Sequence, residues 1–253
     1  MKYVRFSSGS AVRYGVVEAD TVVEIEGDIF STFKMSRRTH RLGQVRLLAP
    51  CVPSKIVGLG LNYQDHADEA QVRRPDEPLI FLKAPTSVIG PDDPIILPPS
   101  STRVDHEGEL AVVIGRKAKD VTPSEAMGYV LGFTCANDVS ARDLQHKDGQ
   151  WTRAKSFDTF APLGPWIVTD AVPDNLKLEV FLNGERRQSA STADMIFKVP
   201  EVISFVSRVM TLLPGDVILT GTCAGVGPMK PGDEVEVRIE KVGSLRNRCE
   251  RTA

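Results

Sequence analysis

Alternating hydrophobic and polar residues dominate the first fifty positions of the chain. The segments KYVRF, AVRYGVVEA and TVVEIEG alternate in this way, and the turn-forming residues SSGS and Glu18-Ala19-Asp20 separate them. A period of two is the repeat of a strand with one buried face. Residues 1–50 are therefore predicted to form a small N-terminal β-rich domain. The two prolines of LLAPCVPS mark a boundary before a second domain, residues 51–253.

The second domain contains many short apolar runs, which are bounded by proline, glycine and acidic residues. Predicted strands are KIVGLGLN, LIFLK, TSVIG, PIILPP, VDHEGELAVVIG, YVLGFTCAND, WIVTD, LKLEVFLNGE, DVILTG and two within DEVEVRIEKVGSLRNRCE. Short helices are expected in NYQDHADEAQ, with Asn62 as N-cap, and in PSEAM and SARDLQHKD. Many short strands with few helices favour an α+β fold over a doubly wound sheet.

One segment, PEVISFVSRVMTLL, shows the full helical repeat. Its predicted core-facing side consists of Val202, Phe205, Val206, Val209, Leu212 and Leu213.

The strand in VDHEGELAVVIG is apolar on both of its faces. Alternate side chains of a strand share a face. One face therefore carries Glu107, Glu109, Ala111 and Val113, and the other carries Gly108, Leu110, Val112 and Ile114. The strand is predicted to be buried on both sides, with Asp105, Glu107 and Glu109 at its start. Neighbouring carboxylates repel one another unless a cation lies between them, so either this strand end is solvated or a positive group belongs there.

Composition and charge argue against several classes of function. The chain has 253 residues, of which 42% are hydrophobic and 25% charged, and its formal net charge is -2. This balance gives no support to nucleic-acid or membrane binding. The sequence shows no signal peptide and no apolar run long enough to span a membrane. The cysteines are scattered without metal-binding spacing, so free thiols in a reducing cytoplasm are expected.

A third carboxylate, that of Asp138, also ends an apolar strand. Together with Glu107 and Glu109 it forms a set of acids at strand ends with no cysteine beside them in the sequence. Such oxygen ligands suit a hard cation, Mg²⁺ or Mn²⁺, with water completing the coordination. The pattern taken alone fits a structural acidic cluster as well.

Candidate catalytic and ligand-binding groups lie on other segments. His66 and Glu69 are three residues apart in a predicted helix, where a carboxylate orients an imidazole as a general base or simply pairs with it at the surface. Lys83 and Lys155 either extend to water or point at an anionic ligand. TGTCAGVG lacks the lysine of a phosphate-binding loop and Gly58-Leu59-Gly60 is too short for a dinucleotide fingerprint, so no nucleotide cofactor is expected.

These motifs, in their order and spacing, resemble the catalytic domain of the fumarylacetoacetate hydrolase family over residues 55–249. The segments that carry the resemblance are GLNYQDHADE, EPLIFLKAPTSVIG, VDHEGELAVVIG, ANDVSARDLQ, RAKSFDTFAPLGPW, TADMIF and LTGTCAGVG. The resemblance implies a β-rich mixed β-roll, a homodimer and a small N-terminal β unit.

The resemblance also implies roles for particular residues. Glu107, Glu109 and Asp138 match the metal ligands, with Mg²⁺ (or Mn²⁺ or Ca²⁺) expected. His66 and Glu69 match a dyad on a mobile segment that activates water, and Lys155 is a further candidate for moving a proton. Positions that bind or polarise the oxo acid are matched by Lys83, Arg142, Gln145, Lys155 and Thr222. Two residues depart from the family pattern: Cys223 stands where the family usually has proline, and His106 where it often has tyrosine.

The activity implied is hydrolysis of a carbon–carbon bond in a 2-oxo (or 2-enol) dicarboxylic or acylpyruvate-type acid, through a metal-stabilised enolate. Alternatives within enzymes are an isomerase or decarboxylase of aromatic-degradation intermediates, such as 2-hydroxyhepta-2,4-diene-1,7-dioate, and an oxaloacetate decarboxylase or tautomerase. A non-enzymatic, cation-stabilised binding protein is the alternative from another class. The segment from Asn62 to about Pro75 is expected to close over bound substrate as a lid.

Overall fold

The computed structural model describes residues 1–69 and 71–251. Ala70, which belongs to a predicted helix and to the predicted lid, lies outside the described residues, as do residues 252–253. Strands of the first fifty residues are β1 (Lys2–Ser8), β2 (Ala11–Glu18), β3 (Thr21–Gly27), β4 (Phe33–Arg41) and β5 (Arg46–Leu48).

Most of the remaining regular structure is also strand. These strands are β6 (Ile56–Gly60), β7 (Leu79–Lys83), β8 (Val88–Ile89), β9 (Ile95–Leu97), β10 (Val104–His106), β11 (Gly108–Ile114), β12 (Val130–Asn137), β13 (Ser140–Ala141), β14 (Ala161–Val168), β15 (Lys177–Leu182), β16 (Glu185–Ser191), β17 (Val217–Leu219), β18 (Gly227–Pro228), β19 (Glu234–Ile239) and β20 (Gly243–Arg251). The helices are α1 (Gln64–Glu69), α2 (Pro123–Ala126), α3 (Arg142–Asp148), α4 (Thr152–Lys155) and α5 (Val199–Val209). The predicted α+β class, rich in strands, is confirmed.

The strands form one large sheet and two smaller ones. The large, 12-stranded sheet runs β4-β3-β2-β1-β14-β12-β11-β17-β6-β7, with β5 paired to β1 and β8 paired to β14. A 5-stranded sheet runs β16-β15-β19-β20-β9, and a 3-stranded sheet runs β13-β10-β18. Parallel pairs, such as β17 with β6, occur beside antiparallel ones, such as β11 with β12, so the large sheet is mixed.

Strand β11 is buried on both faces, as its sequence predicts. Leu110, Val112 and Ile114 belong to a hydrophobic cluster that also contains side chains of β15, β19 and α5. Ala111 and Val113 belong to a second cluster. The 5-stranded sheet therefore packs on one face of β11, and each face has its own hydrophobic core.

The second cluster is completed by strands of the first fifty residues. Tyr3, Val16 and Ile25 pack in it together with Ala111 and Val113. Strand β1 also pairs with β14, so these N-terminal strands continue the large sheet. The division of the chain at residue 50 into two domains stays a prediction.

Two local expectations are wrong. On α5 the buried apolar residues are Val199, Val202, Ile203 and Val206, whereas Val209 is 57% exposed. Leu213, also predicted on the core-facing side, is 40% exposed and lies beyond the end of the helix at Val209. The buried stripe follows the i, i+3, i+4, i+7 spacing from Val199, and Val209 lies off that stripe. The Asn62 side chain does not cap α1: its amide group bonds to the backbone of Phe197 and Thr220 instead, because it is buried between two segments distant in the chain.

The four cysteines are free thiols, as predicted, and all four are buried. Among the described residues, no helix combines the length and the apolar character that a membrane crossing requires.

Candidate metal centre and active site

The register of β11 against β12 brings the predicted acidic residues together. Gly108 pairs with Asn137, so the Glu107 and Asp138 backbones lie side by side, and the Asp138 N–H donates to the Glu107 carbonyl at 2.8 Å. Carboxylate oxygens of Glu107, Glu109 and Asp138 all lie within 4.8 Å of one another. Each of the three residues is at most 4% exposed. This burial excludes a solvated acidic cluster.

Positive groups lie at this strand end. Lys155 lies between two of the acids, since its ammonium is 2.7 Å from Glu107 Oε2 and 2.7 Å from Asp138 Oδ2. Lys83 donates to the other Asp138 oxygen, Oδ1, and to the Val139 carbonyl. Neither lysine extends to water. Burial lowers the pKa of Lys155, but the Asp138 and Glu107 carboxylates outweigh burial and hold its pKa above the ordinary value.

The pKa values of Glu107 and Glu109 shift in opposite directions because the two carboxylates have different charged neighbours. Burial raises the pKa of Glu107, but the charges of Lys155 and Arg142 outweigh that effect and bring its pKa well below the ordinary value. Burial and then the charges of Asp138 and Glu107 raise the pKa of Glu109 well above the ordinary value. Glu109 Oε2 accepts the Gly221 N–H at 2.6 Å, while its Oε1 has no hydrogen-bond partner among the described residues.

These observations fit a divalent cation. A buried carboxylate oxygen without a partner is costly, and a cation in contact with the Glu107, Glu109 and Asp138 oxygens would supply one. The donor set is made only of carboxylate oxygens, which hard cations such as Mg²⁺, Mn²⁺ and Ca²⁺ prefer. The cluster can therefore hold a metal ion.

Arg142 begins α3 beside the acids because β13 pairs with β10 immediately before it. Its Nη2 donates to Glu107 Oε1 at 2.5 Å, its Nε to Asp105 Oδ2 at 3.0 Å and its Nη1 to Gln145 Oε1 at 2.7 Å. Asp105 is fully buried and also accepts two bonds from Arg103. Arg142 is thus held in a fixed orientation at the edge of the acid cluster.

The glycine-rich loop after β17 lies over Glu109 because β17 pairs with β11. Gly221 has φ +91, and a Cβ there would lie 2.7 Å from the Asn62 Cβ, so only glycine fits where the backbone N–H meets Glu109. The Thr222 hydroxyl donates to the Gly108 carbonyl at 2.8 Å. The loop therefore presents a backbone N–H to the acid cluster and is anchored to β11 by the Thr222 hydroxyl.

The His66–Glu69 pair lies on α1, near the other end of the same loop. His66 Nδ1 and Glu69 Oε2 are 3.2 Å apart, as the helical spacing predicts. Gly225 donates its N–H to both carboxylate oxygens of Glu69, at 3.1 and 3.2 Å. The loop thereby fixes the carboxylate that orients the imidazole.

A cavity of about 570 Å³ joins these groups. Ligand cavities commonly have volumes of this size. Of the predicted site residues, those that line it are His66, Glu69, Glu107, Arg142, Gln145, Lys155 and Thr222. Glu109, Asp138 and Lys83 are buried and connect to lining residues through the contacts described above. Lys83 contacts Asp138, so its predicted role in substrate binding stays a prediction.

Sequence reasoning missed several residues of the site. The cavity is also lined by Phe81, Trp151, Arg103 and His146. Gln188, from β16, is 1% exposed; it accepts the Gly108 N–H at 3.0 Å and donates to Thr222 Oγ1 at 2.8 Å. It also contacts His106 Nδ1 at 3.2 Å. The sequence pattern already placed Asp105 with Glu107 and Glu109 at the start of the strand, whereas nothing near Gln188 in the sequence links it to the acids.

Comparison with known proteins yields matches over nearly the whole chain. A family model described as fumarylacetoacetate (FAA) hydrolase C-terminal matches residues 55–250, and one described as Rv2993c-like, N-terminal, matches residues 1–50. A mitochondrial oxaloacetate tautomerase of Rattus norvegicus is 50% identical over 217 residues, which are 81% of this chain and 69% of that protein.

Solved structures match as well. The 2-hydroxyhepta-2,4-diene-1,7-dioate isomerase from Mycobacterium marinum has a TM-score of 0.94 and 46% identity, with 100% of this chain and 99% of that chain covered. Maleylpyruvate hydrolase from Sphingobium sp. SYK-6, in complex with manganese(II) ion and pyruvate, has a TM-score of 0.85 and 30% identity, with 100% of both chains covered.

Proposed function

Because the chain belongs to the fumarylacetoacetate hydrolase family, we propose that it is a divalent-metal-dependent enzyme that hydrolyses a carbon–carbon bond of a 2-oxo acid of the acylpyruvate type. One observation carries the proposal. A buried cluster of Glu107, Glu109 and Asp138, with a partnerless oxygen on Glu109, adjoins a cavity that also contains the His66–Glu69 pair. The proposed metal ligands and the proposed general base therefore lie at the same cavity.

The cation would be held by Glu107, Glu109 and Asp138, and we propose Mg²⁺, with Mn²⁺ or Ca²⁺ as substitutes. When bound, it would supply a Lewis acid that stabilises negative charge developing on the 2-oxo oxygen of the substrate. The manganese in the maleylpyruvate hydrolase complex supports a metal of this class.

The chain's own residues bind the acid and move the proton. Arg142 is oriented by Asp105, Glu107 and Gln145, and it places a fixed positive charge at the cavity wall for the substrate carboxylate. Lys155 adds a second cation on the same cavity. The Thr222 hydroxyl donates its proton to Gly108 and accepts from Gln188, so its remaining lone pair can accept only from a donor such as the hydroxyl group of the enol form of the substrate.

His66 is the proposed general base. Glu69 engages Nδ1, which leaves Nε2 to take a proton from water as that water attacks the carbonyl carbon. The proton then passes to the carbon from which the acyl group leaves. Lys155 is the alternative proton carrier of the site.

A second candidate, keto–enol tautomerisation or double-bond isomerisation of a 2-oxo acid, is favoured by the names of the relatives. The rat protein is an oxaloacetate tautomerase and the M. marinum structure an isomerase, and both are more similar to this chain than the maleylpyruvate hydrolase. In that reaction His66 would exchange a proton with carbon 3 of the substrate rather than with water.

A homodimer in the cytoplasm completes the proposal. Four buried free thiols suit a reducing compartment. Strand β7 ends the large sheet and exposes Leu79 and Leu82, which suits contact with a second copy. Light scattering during gel filtration measures the molecular mass, which distinguishes a homodimer from a monomer.

The experiment is a metal-dependent assay with a small substrate panel. Wild type with Mg²⁺, Mn²⁺ or a chelator is mixed with acetylpyruvate, maleylpyruvate and oxaloacetate, and the enol absorbance is followed while products are identified by mass spectrometry. Release of pyruvate from an acylpyruvate supports the hydrolase. Loss of enol absorbance without cleavage supports the tautomerase. No metal-dependent change with any acid refutes both.

His66→Ala tests the assigned base. Removing a general base typically costs about 10²–10⁴-fold in rate, so cleavage should fall by that factor while metal binding is retained. His40→Ala is the matched control, because His40 also contacts a glutamate, Glu24, at 2.7 Å but lies on β4 away from the cavity. If His66→Ala cleaves the substrate at the wild-type rate, the dyad assignment is wrong.

A further inference from the structure

The amide of Gln188 is a buried polar group that the proposed mechanism does not use. Gln188 lies on β16 and is 1% exposed. Its oxygen accepts the Gly108 N–H at 3.0 Å, and its nitrogen donates to Thr222 Oγ1 and to the Cys223 carbonyl, each at 2.8 Å. His106 Nδ1 lies 3.2 Å from the same oxygen. An amide has two N–H donors and one oxygen that accepts two bonds, so every hydrogen-bonding position of this side chain is used.

The partners fix the orientation of this amide. The Gly108 N–H can only donate and the Cys223 carbonyl can only accept, so the Gln188 oxygen faces β11 and its nitrogen faces the glycine-rich loop, residues 220–227. The side chain therefore bridges these two segments in one direction only. His106 and Cys223, the residues that depart from the family pattern, are both partners of the amide, so the bridge lies where this chain differs from its family.

The glycine-rich loop presents backbone N–H groups to two functional carboxylates. The Gly221 N–H donates to Glu109, and the Gly225 N–H donates to Glu69. The loop thus connects the acid cluster with the carboxylate that orients the imidazole. Both loop residues that Gln188 holds lie between these two glycines in the sequence. A movement of that middle part would carry at least one N–H group away from its carboxylate.

Strand β16 also determines how closely the loop packs. Gly225 has φ +95, and a Cβ there would lie 2.1 Å from the Arg187 carbonyl oxygen, so the loop backbone lies directly against the residue before Gln188. The strand itself is paired with β15 in the 5-stranded sheet. The loop is therefore supported by a regular strand of another sheet, which is a more precise support than a second loop would be.

From these contacts we infer that Gln188 is a positioning residue, which holds the glycine-rich loop where Gly221 bonds to Glu109 and Gly225 bonds to Glu69. Gln188 is not a lining residue of the cavity, so it acts through the loop. The inference rests on the proposed function only in taking Glu109 as a metal ligand and Glu69 as the partner of the base.

Two matched variants test this role. Gln188→Met and Asn247→Leu each replace a buried amide of the 5-stranded sheet by an apolar side chain of similar size. Asn247 is 2% exposed and donates to the Gly90 and Asp93 carbonyls at 2.9 Å, and none of these three residues lines the cavity. Hydrogen–deuterium exchange of the metal-free protein, followed by mass spectrometry, measures the opening of the glycine-rich loop and of the turn from Gly90 to Asp93. Calorimetry with Mn²⁺ measures metal affinity.

In Gln188→Met the glycine-rich loop should exchange about 10-fold faster or more, because it loses two hydrogen bonds. Mn²⁺ affinity should fall by about 10-fold, the lower end of the effect of removing groups that orient metal ligands, since Gln188 acts through the loop. Asn247→Leu should open its own turn and keep the loop exchange and the Mn²⁺ affinity within about threefold of wild type, because it is distant from the cavity.

Two results would overturn the inference. Equal effects of Gln188→Met and Asn247→Leu on the loop and on metal affinity would show that Gln188 only contributes to folding. A loop that opens in Gln188→Met without a change in the affinity of a metal-binding protein would show that its position does not matter to the acid cluster. If Gln188→Met does not fold, Gln188→Glu replaces it, because glutamate has the same shape and lacks at least one of the two N–H donors. Wild-type exchange and affinity in that variant would also overturn the inference.

These outcomes are separable from failure of the proposed function. If wild type binds no Mn²⁺ and converts none of the panel acids, the proposed function fails, and the exchange of the loop alone decides whether Gln188 holds it. If wild type converts a panel acid while Gln188→Met and Asn247→Leu behave alike, the reaction is retained and the inference is wrong.

Discussion

Replacing Glu109 by glutamine should change stability in opposite directions with and without metal. In wild type, Glu109 is 1% exposed, close to Glu107 and Asp138, and its Oε1 has no partner among the described residues. Glutamine has nearly the same shape and carries no charge. Its amide N–H can donate to the neighbouring carboxylates, and its oxygen can still accept the Gly221 N–H.

The magnitude follows from the unsatisfied oxygen. A buried ionised oxygen without a partner costs about 1–3 kcal/mol, so at a pH above the raised pKa of Glu109 the substitution should stabilise the metal-free protein by about 2 kcal/mol. Below that pKa the Glu109 carboxyl carries a proton that can itself be donated, so the gain should be smaller. For a chain of this size a gain of about 2 kcal/mol is an increase of roughly 4–8 °C in melting temperature. In contrast, a metal present at a hundred times its dissociation constant stabilises wild type by about 2.7 kcal/mol, and Glu109→Gln should lose most of this gain.

The assay is thermal unfolding in chelator and in a series of Mg²⁺ or Mn²⁺ concentrations. Glu24→Gln is the matched control, because Glu24 is also buried, at 3% exposure, but is paired with Arg13 and His40. That variant should melt at a lower temperature in both conditions, since it weakens a satisfied buried pair, and it should keep the wild-type response to metal.

Two results would refute the reasoning about Glu109. A metal response of Glu109→Gln equal to that of wild type would show that this carboxylate is not a ligand. A variant less stable than wild type in chelator would show that the carboxylate is well satisfied in the metal-free protein. In that case the partnerless oxygen would no longer support a cation site.

Two further predictions concern the sheets around the site. A hydrogen bond from Arg238 lowers the pKa of Glu236 from 4.5 to about 2, so the stability it contributes is present above pH 4.5 and is lost as the pH falls toward 2. Glu236→Gln should lose at most about 3 kcal/mol near neutral pH and flatten the acid side of the urea-unfolding profile, whereas an unchanged profile would contradict the pKa shift. Gly108→Ala places a Cβ 2.2 Å from Val180 and should cost about 1–3 kcal/mol and weaken metal binding. Gly43→Ala, with nothing within 4 Å of the added Cβ, should leave the melting temperature unchanged, and equal melting of the two variants would contradict the packing argument.

Local pattern predicted most of the strands, and the reason is visible at β11. Whether a residue alternates with its neighbours depends only on the chain itself, so the two apolar faces of Leu110–Ile114 could be predicted before any contact was known. The helical spacing of His66 and Glu69 is local in the same sense, and their side chains meet at 3.2 Å. The face of α5 was predicted less well, because an apolar residue such as Val209 can lie at the edge of a helix that still buries its stripe.

Contacts between distant segments could not be predicted from the pattern of hydrophobic and polar residues alone. The meeting of Glu107 and Asp138 depends on the pairing of Gly108 with Asn137, and a shift of one residue would turn these side chains to opposite faces. Gln188 reaches Gly108 and Thr222 from another sheet, so no spacing in the sequence links the three. The hydrogen bond from Arg142 to Asp105 likewise arises because β10 and β13 pair, which brings the start of α3 beside Asp105.

The sequence by itself determined the strand-rich class, the doubly buried strand and the kinds of side chain available for chemistry. These follow from the order of residues, because side-chain polarity and backbone periodicity act over a few positions. Only the tertiary structure decided which carboxylates face one another, which cations neutralise them and which atom is left without a partner. Those outcomes depend on register and packing between segments tens of residues apart, where small differences in position decide whether two charged groups touch.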